Sequence, residues 1–223
     1  MPLVFVVSDL HLGSSHFQCS AFNHFLEEIP ADSTLVVNGD MLDRPGHRLP
    51  DQPATVLEWL KEPPNGIRTL FVEGNHDSIE ELAEYGVRAV DRLEFRDSSL
   101  LVTHGASFDS FVVGHKTFIK LFRAFHNLRV RLGAPPVHVA RYAKQWGVFY
   151  RIMCRNIRRE AVQCAKSEGF SAVTCGHVHS SEDVVEEGVR YINTGSWTEP
   201  DTMHYLRVDD DGMALCRWGG GPE

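Results

Sequence analysis

Cysteine is sparse in this sequence, and no two cysteines lie close together in a motif. Five cysteines are scattered over 223 residues without a CxxC motif: Cys19, Cys154, Cys164, Cys175 and Cys216. An odd and scattered set of this kind does not build a disulfide framework or a zinc knuckle. We therefore expect reduced thiols in a cytoplasmic protein.

Long apolar runs are also missing, since no run approaches the roughly 20 residues that cross a bilayer. The short run 3–7 leads directly into Asp9, which predicts a buried strand rather than a signal peptide at this end. Because 43% of the residues are apolar, we expect one compact domain over residues 1–218. The glycine-rich residues 219–223 are predicted to be a frayed tail.

Positive charge is scarce overall but concentrated in one segment. The formal net charge of -8 disfavours a general attraction to nucleic acid or to anionic membranes. Residues 105–160, however, contain eleven of the 22 Lys and Arg residues and only two of the 30 acidic residues. This contrast predicts an acidic body and a basic accessory element.

Short β-rich runs alternate with helical patterns along the first half of the chain. The predicted strands lie at 3–7, 34–37, 67–72, 100–103 and 171–174, and the predicted helices at 21–28, 53–60 and 78–84. After His179 the pattern is rich in strands, at 183–186, 189–193, 203–208 and 214–218, which predicts a mostly antiparallel second sheet. The fold class expected is α/β, a four-layer αββα sandwich of two mixed sheets.

Each of the five early strands ends in a polar motif. These motifs are Asp9-x-His11, Gly39-Asp40-x-x-Asp43-Arg44, Gly74-Asn75-His76-Asp77, His104-Gly105 and Gly176-His177-x-His179. Open α/β sheets place their sites beyond the carboxyl ends of the strands, so the motifs can converge on one site. Each motif alone is a weak signal, but five of them in this order are highly specific.

The donor types in these motifs indicate a catalytic metal centre. They are carboxylate, amide and imidazole groups without cysteine, which points away from structural zinc. Such donors suit Mn, with Fe, Ni, Co or Zn as alternatives. Two neighbouring cations need a bridging ligand, which a carboxylate supplies with its two oxygens.

Taken together, the motifs resemble the signature of calcineurin-like metallophosphoesterases. The similarity extends from residue 3 to about residue 197 and includes the late Asn193-Thr194-Gly195-Ser196 turn. It implies the αββα fold and the hydrolysis of a phosphate ester or anhydride with two divalent cations. The cations lower the pKa of a shared water molecule so that hydroxide forms near neutral pH and attacks phosphorus.

The resemblance also implies a role for each motif residue. The implied metal ligands are Asp9, His11 and His179 for one cation, Asn75, His104 and His177 for the other, and Asp40 bridging both. His76 is implied as the catalytic group that contacts the phosphate and protonates the leaving group, together with Asn75, and Asp77 as the residue that orients His76. Arg44 is a candidate substrate contact, with a salt bridge to Asp43 or Asp51 as the equal alternative.

The basic segment is predicted to form a helical cap, inserted over residues 107–168. Aromatic residues alternate there with Lys and Arg, which predicts packing onto the sandwich or contact with a polyanionic or lipid substrate or an anionic membrane surface. His115 is a candidate substrate contact. The insertion and Trp197 resemble the UDP-2,3-diacylglucosamine pyrophosphatase-like branch, which implies a lipid-linked nucleotide substrate. That branch has Arg where this chain has His76, so an ester with a poorer leaving group is the alternative.

Other functions remain open at the level of sequence. The substrate is expected to be a phosphorylated small molecule or a lipid-linked nucleotide, with peripheral contact to the inner membrane face as an option. A phosphodiesterase or nuclease is the second enzyme hypothesis, although no motif that reads RNA or DNA is present. A scaffold without metals is the non-enzymatic alternative, and it predicts lost ligands where none is missing. The sequence defines neither the oligomeric state nor the natural substrate.

Overall fold

Two β-sheets form the centre of the protein in a computed structural model that describes residues 3–109 and 147–219. The strands of the first sheet, in their order across it, are β11 (Gly212–Arg217), β10 (His204–Asp209), β1 (Val4–Val7), β2 (Thr34–Asn38), β3 (Arg68–Val72) and β4 (Ala89–Val90). Strands β1 to β4 pair in parallel, and β10 and β11 add to β1 in antiparallel fashion. The first sheet is therefore mixed.

The second sheet is mixed as well. Its order is β5 (Arg92–Phe95), β6 (Leu100–Thr103), β7 (Ala172–Cys175), β9 (Val189–Thr194) and β8 (Ser181–Glu186). Strands β6, β7 and β9 are parallel, while β5 and β8 are antiparallel edge strands.

The helices in the described part of the chain lie between the strands as the sequence predicts. They are α1 (Cys19–Glu28), α2 (Asp51–Lys61), α3 (Ile79–Glu84) and α4 (Gly147–Ser167). A capping box fixes the start of α3, because the Ser78 and Glu81 side chains each accept a hydrogen bond from the other residue's backbone N–H, at 3.3 and 2.8 Å. This cap also fixes the end of the loop that carries Asn75 and His76.

The alternation of side chains along the strands shows four layers. In β1, Phe5 and Val7 pack in a core with α1 and α2, whereas Val4 and Val6 face the core between the two sheets. Successive side chains of a strand point to opposite faces, so a strand covered on both faces is apolar throughout. The predicted αββα sandwich is confirmed.

Helix α4 supplies the outer layer on the second sheet. Its C-terminal half buries Ile157, Ala161 and Val162, and the last two pack in a core with Leu101 and Val173 of that sheet. The predicted cap over residues 107–168 therefore includes a helix that is part of the sandwich. Residues 110–146 of that prediction lie outside the described residues.

Two details differ from the expectations. Strands β10 and β11 join the first sheet rather than the second, because β10 pairs with β1 from Val4↔Val208 to Val6↔Leu206. Strands β4 and β5 are not predicted from the sequence. They are short, and β5 has charged residues in its pattern, Arg92 and Glu94.

The expectations on cysteine pairing and on membrane-spanning segments can be compared with the structure. None of the five cysteines, all within the described residues, is in a disulfide. Among residues 3–109 and 147–219, no helix combines the length and the apolar character that a membrane span requires.

Candidate metal centre

The predicted ligands lie just beyond the carboxyl ends of five strands. Asp9 follows β1, Asp40 follows β2 and Asn75 follows β3 in the first sheet, while His104 follows β6 and His177 follows β7 in the second. The Asn38 side-chain amide, at the end of β2, donates to the Thr103 carbonyl at the end of β6, at 3.0 Å. The two sheets thus meet at the edge where the polar motifs lie.

The backbone at these motifs adopts an unusual conformation. Five of the seven predicted ligands have positive φ angles: Asp9 (55°), His11 (51°), Asp40 (50°), His177 (68°) and His179 (54°). Left-handed conformations are costly for residues other than glycine, on the order of 1–3 kcal/mol each, and concentrate at functional sites. Such strain persists only because the surrounding structure fixes these side chains in place.

A first group of four donors is fully buried. Asp9, His11, Asp40 and His179 each offer one ligand atom, and these atoms lie within 4.8 Å of one another. The His179 Nε2 atom is 3.2 Å from Asp9 Oδ1 and 3.2 Å from His11 Nε2. His11 Nε2 is 3.7 Å from Asp40 Oδ2. These four residues form one compact set of oxygen and imidazole donors.

A second group lies on the other side of Asp40. The Asn75 Oδ1 atom is 2.6 Å from His177 Nδ1 and 3.3 Å from His104 Nε2. His104 Nε2 is also 3.4 Å from Asp40 Oδ1. The two carboxylate oxygens of Asp40 therefore face different groups, as a bridging ligand requires.

In each histidine of the second group, one ring nitrogen is held by a hydrogen-bond acceptor outside the group. The carbonyl of Asn38 can only accept a hydrogen bond, so His104 donates to it through Nδ1, at 2.9 Å. The Asp109 carboxylate likewise accepts from His177 Nε2, at 3.1 Å. The other ring nitrogens, His104 Nε2 and His177 Nδ1, face the Asn75 oxygen and can bind a cation when they carry no proton. Donor atoms so close together repel one another unless a cation or a proton lies between them.

The pKa shifts follow from burial and from the neighbouring charges. Burial disfavours the charged form of His104, but the Asp40 carboxylate outweighs this effect and raises the pKa of His104 to about 10. For Asp40, burial is likewise outweighed, and His104 holds the carboxyl pKa well below its usual value. Burial opposes ionisation of Asp9 too, but His179 lowers its pKa to about 2. Both carboxylates are therefore ionised and able to bind cations.

His11 shows the opposite balance. Burial dominates and lowers its pKa to about 3, despite the nearby Asp40 carboxylate. The imidazole is therefore neutral at physiological pH, which is the form that binds metals. Its Nδ1 atom lies 3.7 Å from Asp43 Oδ1.

Two glycines are required by the close packing of this centre. A Cβ atom at Gly74 would lie 2.2 Å from the Asp40 backbone nitrogen and from Asp40 Oδ1. A Cβ atom at Gly176 would lie 2.3 Å from Asp9 Oδ2. Any side chain at these positions would displace a ligand carboxylate, which explains the glycines of the GNHD and GHxH motifs.

His76 lies beside the centre, oriented by backbone contacts. Its backbone N–H donates to Asp40 Oδ1 at 2.9 Å, and its Nδ1 atom donates to the Asp43 carbonyl at 3.1 Å. The prediction that Asp77 orients His76 differs from the observed contacts. Asp77 Oδ2 instead accepts from the Leu42 backbone N–H at 2.7 Å.

Asp77 has an environment that penalises its charge. The side chain is buried, and Oδ1 has no hydrogen-bond partner among the described residues. Burial, followed by repulsion from the Asp40 carboxylate, raises the pKa of Asp77 to about 7. The Asp77 carboxyl therefore holds the backbone at Leu42, whereas the His76 ring is held by the Asp43 carbonyl.

Of the two predicted substrate contacts Arg44 and His115, Arg44 lies within the described residues. Arg44 is 80% exposed, and its Nε atom lies 3.5 Å from Asp43 Oδ2, as in the salt-bridge alternative. His115 lies outside the described residues.

Sequence reasoning missed three residues that contact the predicted ligands. They are Asn38, Asp109 and Thr198, the last with Oγ1 3.4 Å from His179 Nδ1. Asp43 is part of the predicted motif that begins at Gly39, but its contact with His11 is not predicted from the sequence. No local pattern marks Asp109 or Thr198, because their contacts join distant parts of the chain.

Comparisons with known proteins agree with this geometry. The family model described as Calcineurin-like phosphoesterase matches residues 2–181. A DNA polymerase II small subunit of Halobacterium salinarum is 26% identical over 231 residues, which cover 86% of this chain and 43% of that protein. The protein of the same name from Thermoplasma acidophilum is 22% identical, with 86% and 44% covered. The chain thus spans less than half the length of these curated relatives.

Solved structures show the same fold. Yfce, a phosphoesterase from E. coli, superposes with a TM-score of 0.53 at 17% identity, over 97% of this chain and 93% of that chain. Vps29 from Chaetomium thermophilum superposes with a TM-score of 0.52 at 11% identity, over 96% and 89%. At such identities the likeness concerns the fold.

Proposed function

The chain belongs to the calcineurin-like phosphoesterase family, and from this premise we propose that it hydrolyses a phosphate ester with two divalent cations. The observation that carries the proposal is the convergence of seven predicted donors into two groups that share Asp40. Oxygen and imidazole donors without cysteine suit Mn²⁺.

Each group supplies ligands to one cation in this proposal. Asp9, His11 and His179 would hold the first cation, and Asn75, His104 and His177 would hold the second, with Asp40 available to both. When bound, the cations supply Lewis-acid activation of water and neutralise charge on the phosphate. The two groups share the Asp40 carboxylate, whose Oδ2 faces His11 and whose Oδ1 faces His104.

His76 handles the proton of the leaving group. Its Nδ1 atom is engaged by the Asp43 carbonyl, so Nε2 is the nitrogen that exchanges a proton with substrate. The hydrogen bond from the His76 backbone to Asp40 Oδ1 fixes this ring relative to the shared ligand. Arg44, exposed beside Asp43, contacts the substrate phosphate by leaving its salt bridge, which is weak at such exposure.

An activity panel with added Mn²⁺ tests this proposal. It compares an aryl phosphate monoester, an aryl phosphate diester, a cyclic nucleotide, UDP-diacylglucosamine and a single-stranded oligonucleotide. Hydrolysis that a chelator abolishes and Mn²⁺ restores is expected for at least one substrate. Rates equal to those of Asp40→Asn for every substrate would contradict the proposal.

A phosphodiester chain of nucleic acid is the second candidate substrate. The curated relatives are named as small subunits of a DNA polymerase, and they align with 86% of this chain. Helix α4 also presents an exposed stripe at helical spacing, formed by Val148, Arg151, Ile152, Arg155 and Arg159. Three arginines on one face of an acidic protein suit a polyanion.

The position of α4 favours this second candidate. The Tyr150 hydroxyl, on the first turn of α4, donates to the Val178 carbonyl between His177 and His179. Arg151 follows Tyr150 directly in the sequence, so the arginines of the stripe begin one residue after a contact with the loop that carries His177 and His179.

A paired measurement separates the candidates. Replacing Arg151 and Arg155 by Gln is expected to raise KM for the oligonucleotide and to flatten its salt dependence, while the rate on the aryl ester is unchanged. An unchanged oligonucleotide KM would exclude this role of the stripe. UDP-diacylglucosamine remains in the panel as the predicted pyrophosphate substrate, for which loss of His76 should matter less because phosphate is a better leaving group.

A further inference from the structure

The loop from His177 to His179 carries one ligand of each proposed cation. Both residues have positive φ, 68° and 54°. The His177 backbone N–H donates to both carboxylate oxygens of Asp9, at 3.2 and 3.0 Å. The loop is thus tied to the first group through its backbone, while its first side chain extends toward the second group.

The side chain of His177 has a second contact of its own. Asp109 is 1% exposed, and its Oδ2 atom accepts from His177 Nε2 at 3.1 Å. Asp109 follows the short 3-10 helix Ala106–Phe108 that comes after His104, and its backbone N–H donates to the Ala106 carbonyl at 3.1 Å. The carboxylate is therefore held in place by the same segment that positions His104.

This contact determines which nitrogen of His177 is available to a cation. A proton on Nε2 leaves the lone pair on Nδ1, the atom 2.6 Å from Asn75 Oδ1. Metal-binding histidines generally donate their other ring N–H to a carboxylate or carbonyl, which fixes both tautomer and ring orientation. Asp109 occupies that position for His177, as the Asn38 carbonyl does for His104.

A second residue holds the backbone of the same loop. The half-buried Tyr150 donates its hydroxyl to the Val178 carbonyl. Asp109 and Tyr150 lie on either side of residues 110–146 in the sequence, and both contact the loop that carries the two histidines. The two ends of the insertion therefore meet at the metal centre.

We propose that Asp109 and Tyr150 are positioning residues that set the affinity of the second cation, Asp109 through the His177 ring and Tyr150 through the Val178 backbone. This inference rests on the proposed function, since it assumes that the second group binds a cation. It adds two residues that contact neither cation nor substrate.

The experiment measures Mn²⁺ binding in full-length variants. Asp109→Ala and Asp109→Asn test the carboxylate, and Tyr150→Phe removes only a hydroxyl. Asp183→Asn, in an ion pair with Arg190, and Tyr85→Phe, whose hydroxyl donates to the His47 carbonyl at 3.0 Å, remove matched groups outside the metal centre. Bound Mn²⁺ is titrated by competition with a chelating dye, and electron paramagnetic resonance distinguishes coupled pairs from single ions.

Wild type and both controls are expected to bind two cations and to show a coupled Mn²⁺ spectrum. Asp109→Ala should weaken the second cation by about 10- to 100-fold and give a single-ion spectrum at one equivalent. Asp109→Asn, which keeps an acceptor oxygen, should fall between Ala and wild type. Tyr150→Phe should weaken the second cation by about 2- to 10-fold, as expected for one hydrogen bond.

The outcomes distinguish a failure of the proposed function from a failure of the positioning role of Asp109 and Tyr150. Wild type that binds fewer than two cations contradicts the proposed function. Wild type that binds two, with Asp109→Asn and Tyr150→Phe binding the second within about twofold of the wild-type affinity, contradicts the inference alone. Thermal unfolding in chelator identifies a variant that does not fold. If Asp109→Ala does not fold, the near-isosteric Asp109→Asn alone tests the role of the carboxylate.

Discussion

The two donor groups around Asp40 differ in their access to solvent. In the first group, Asp9 and His11 are 0% exposed, Asp40 is 2% exposed and His179 is 3% exposed. In the second group only His104 is as buried, since His177 is half-buried and Asn75 is exposed. The first group lies inside the sandwich, whereas the second opens to the surface.

This difference predicts a division of roles between the two proposed cations. A cation among buried donors exchanges slowly and stabilises the fold. A cation bound in the open group would be accessible to a substrate phosphate, because the proposed ligand Asn75 is exposed. Substitutions in one group should therefore affect one cation, whereas substitution of Asp40 should affect both.

The largest effect is expected at the shared carboxylate. Asp40→Asn removes the charge that both groups use, so it should lower hydrolysis by at least about 10⁴-fold, as the loss of a central catalytic group does. Metal content should fall for both cations, as measured by mass spectrometry of the dialysed protein. Retention of two cations with wild-type activity would show that the groups are independent of Asp40.

Substitution of His76 should reduce turnover without weakening metal binding. His76→Ala is expected to keep both cations and to lose about 10²- to 10³-fold in turnover of an alkyl phosphate, because the alkoxide lacks its proton donor. The loss should be much smaller for p-nitrophenyl phosphate, whose leaving group needs no proton. Equal losses on both substrates would argue against the proton-transfer role.

Substitutions of His179 and His177 allow a direct comparison of the buried group with the open group. We expect His179→Ala to weaken the tighter cation at least about 100-fold, and His177→Ala to weaken only the second cation. Stepwise titration of the metal-free variants with Mn²⁺ measures both affinities. The comparison fails if both substitutions weaken the same binding step.

Proton release should accompany binding to the second group. The Asp40 carboxylate raises the pKa of His104 to about 10, so the metal-free imidazole is protonated at neutral pH and must lose its proton to become a ligand. Affinity for the second cation should therefore rise about tenfold per pH unit between about pH 7 and pH 9. Calorimetry in two buffers of different ionisation enthalpy measures the protons released, and a value of zero would contradict this prediction.

The smallest effect concerns Asp77, whose carboxylate accepts a hydrogen bond from the Leu42 backbone. Its folded-state pKa is raised from 3.8 to about 7, so the folded protein favours the neutral carboxyl, and stability falls as pH rises between these two values. Asp77→Asn mimics the neutral form and should stabilise the metal-free protein by about 1 to 2 kcal/mol at pH 8, with little change at pH 4. Urea unfolding at both pH values tests this. Destabilisation at pH 8 would show that the carboxylate is needed.

Most of the fold and the donor set could be predicted from sequence because their signals are local. Each apolar run is followed within three residues by its polar motif, and the α/β rule then brings the motifs of Asp9, Asp40 and Asn75 together. The αββα layers follow from strands such as β1 that are apolar on both faces. These inferences need no knowledge of distant contacts.

The remainder depends on contacts between distant residues. The assignment of β10 to the first sheet rests on pairs such as Val4↔Val208, which no local pattern encodes. His76 is oriented by a backbone carbonyl, that of Asp43, and every residue has such a group. Asp109 resembles any other aspartate until the fold places it against His177.

Anomalous diffraction from a crystal soaked in Mn²⁺ tests the central claim most directly. Two peaks are expected, one among Asp9, His11 and His179 and one among Asn75, His104 and His177, with a carboxylate oxygen of Asp40 within bonding distance of each. The absence of a peak between these side chains, at saturating Mn²⁺, would contradict the two-cation account.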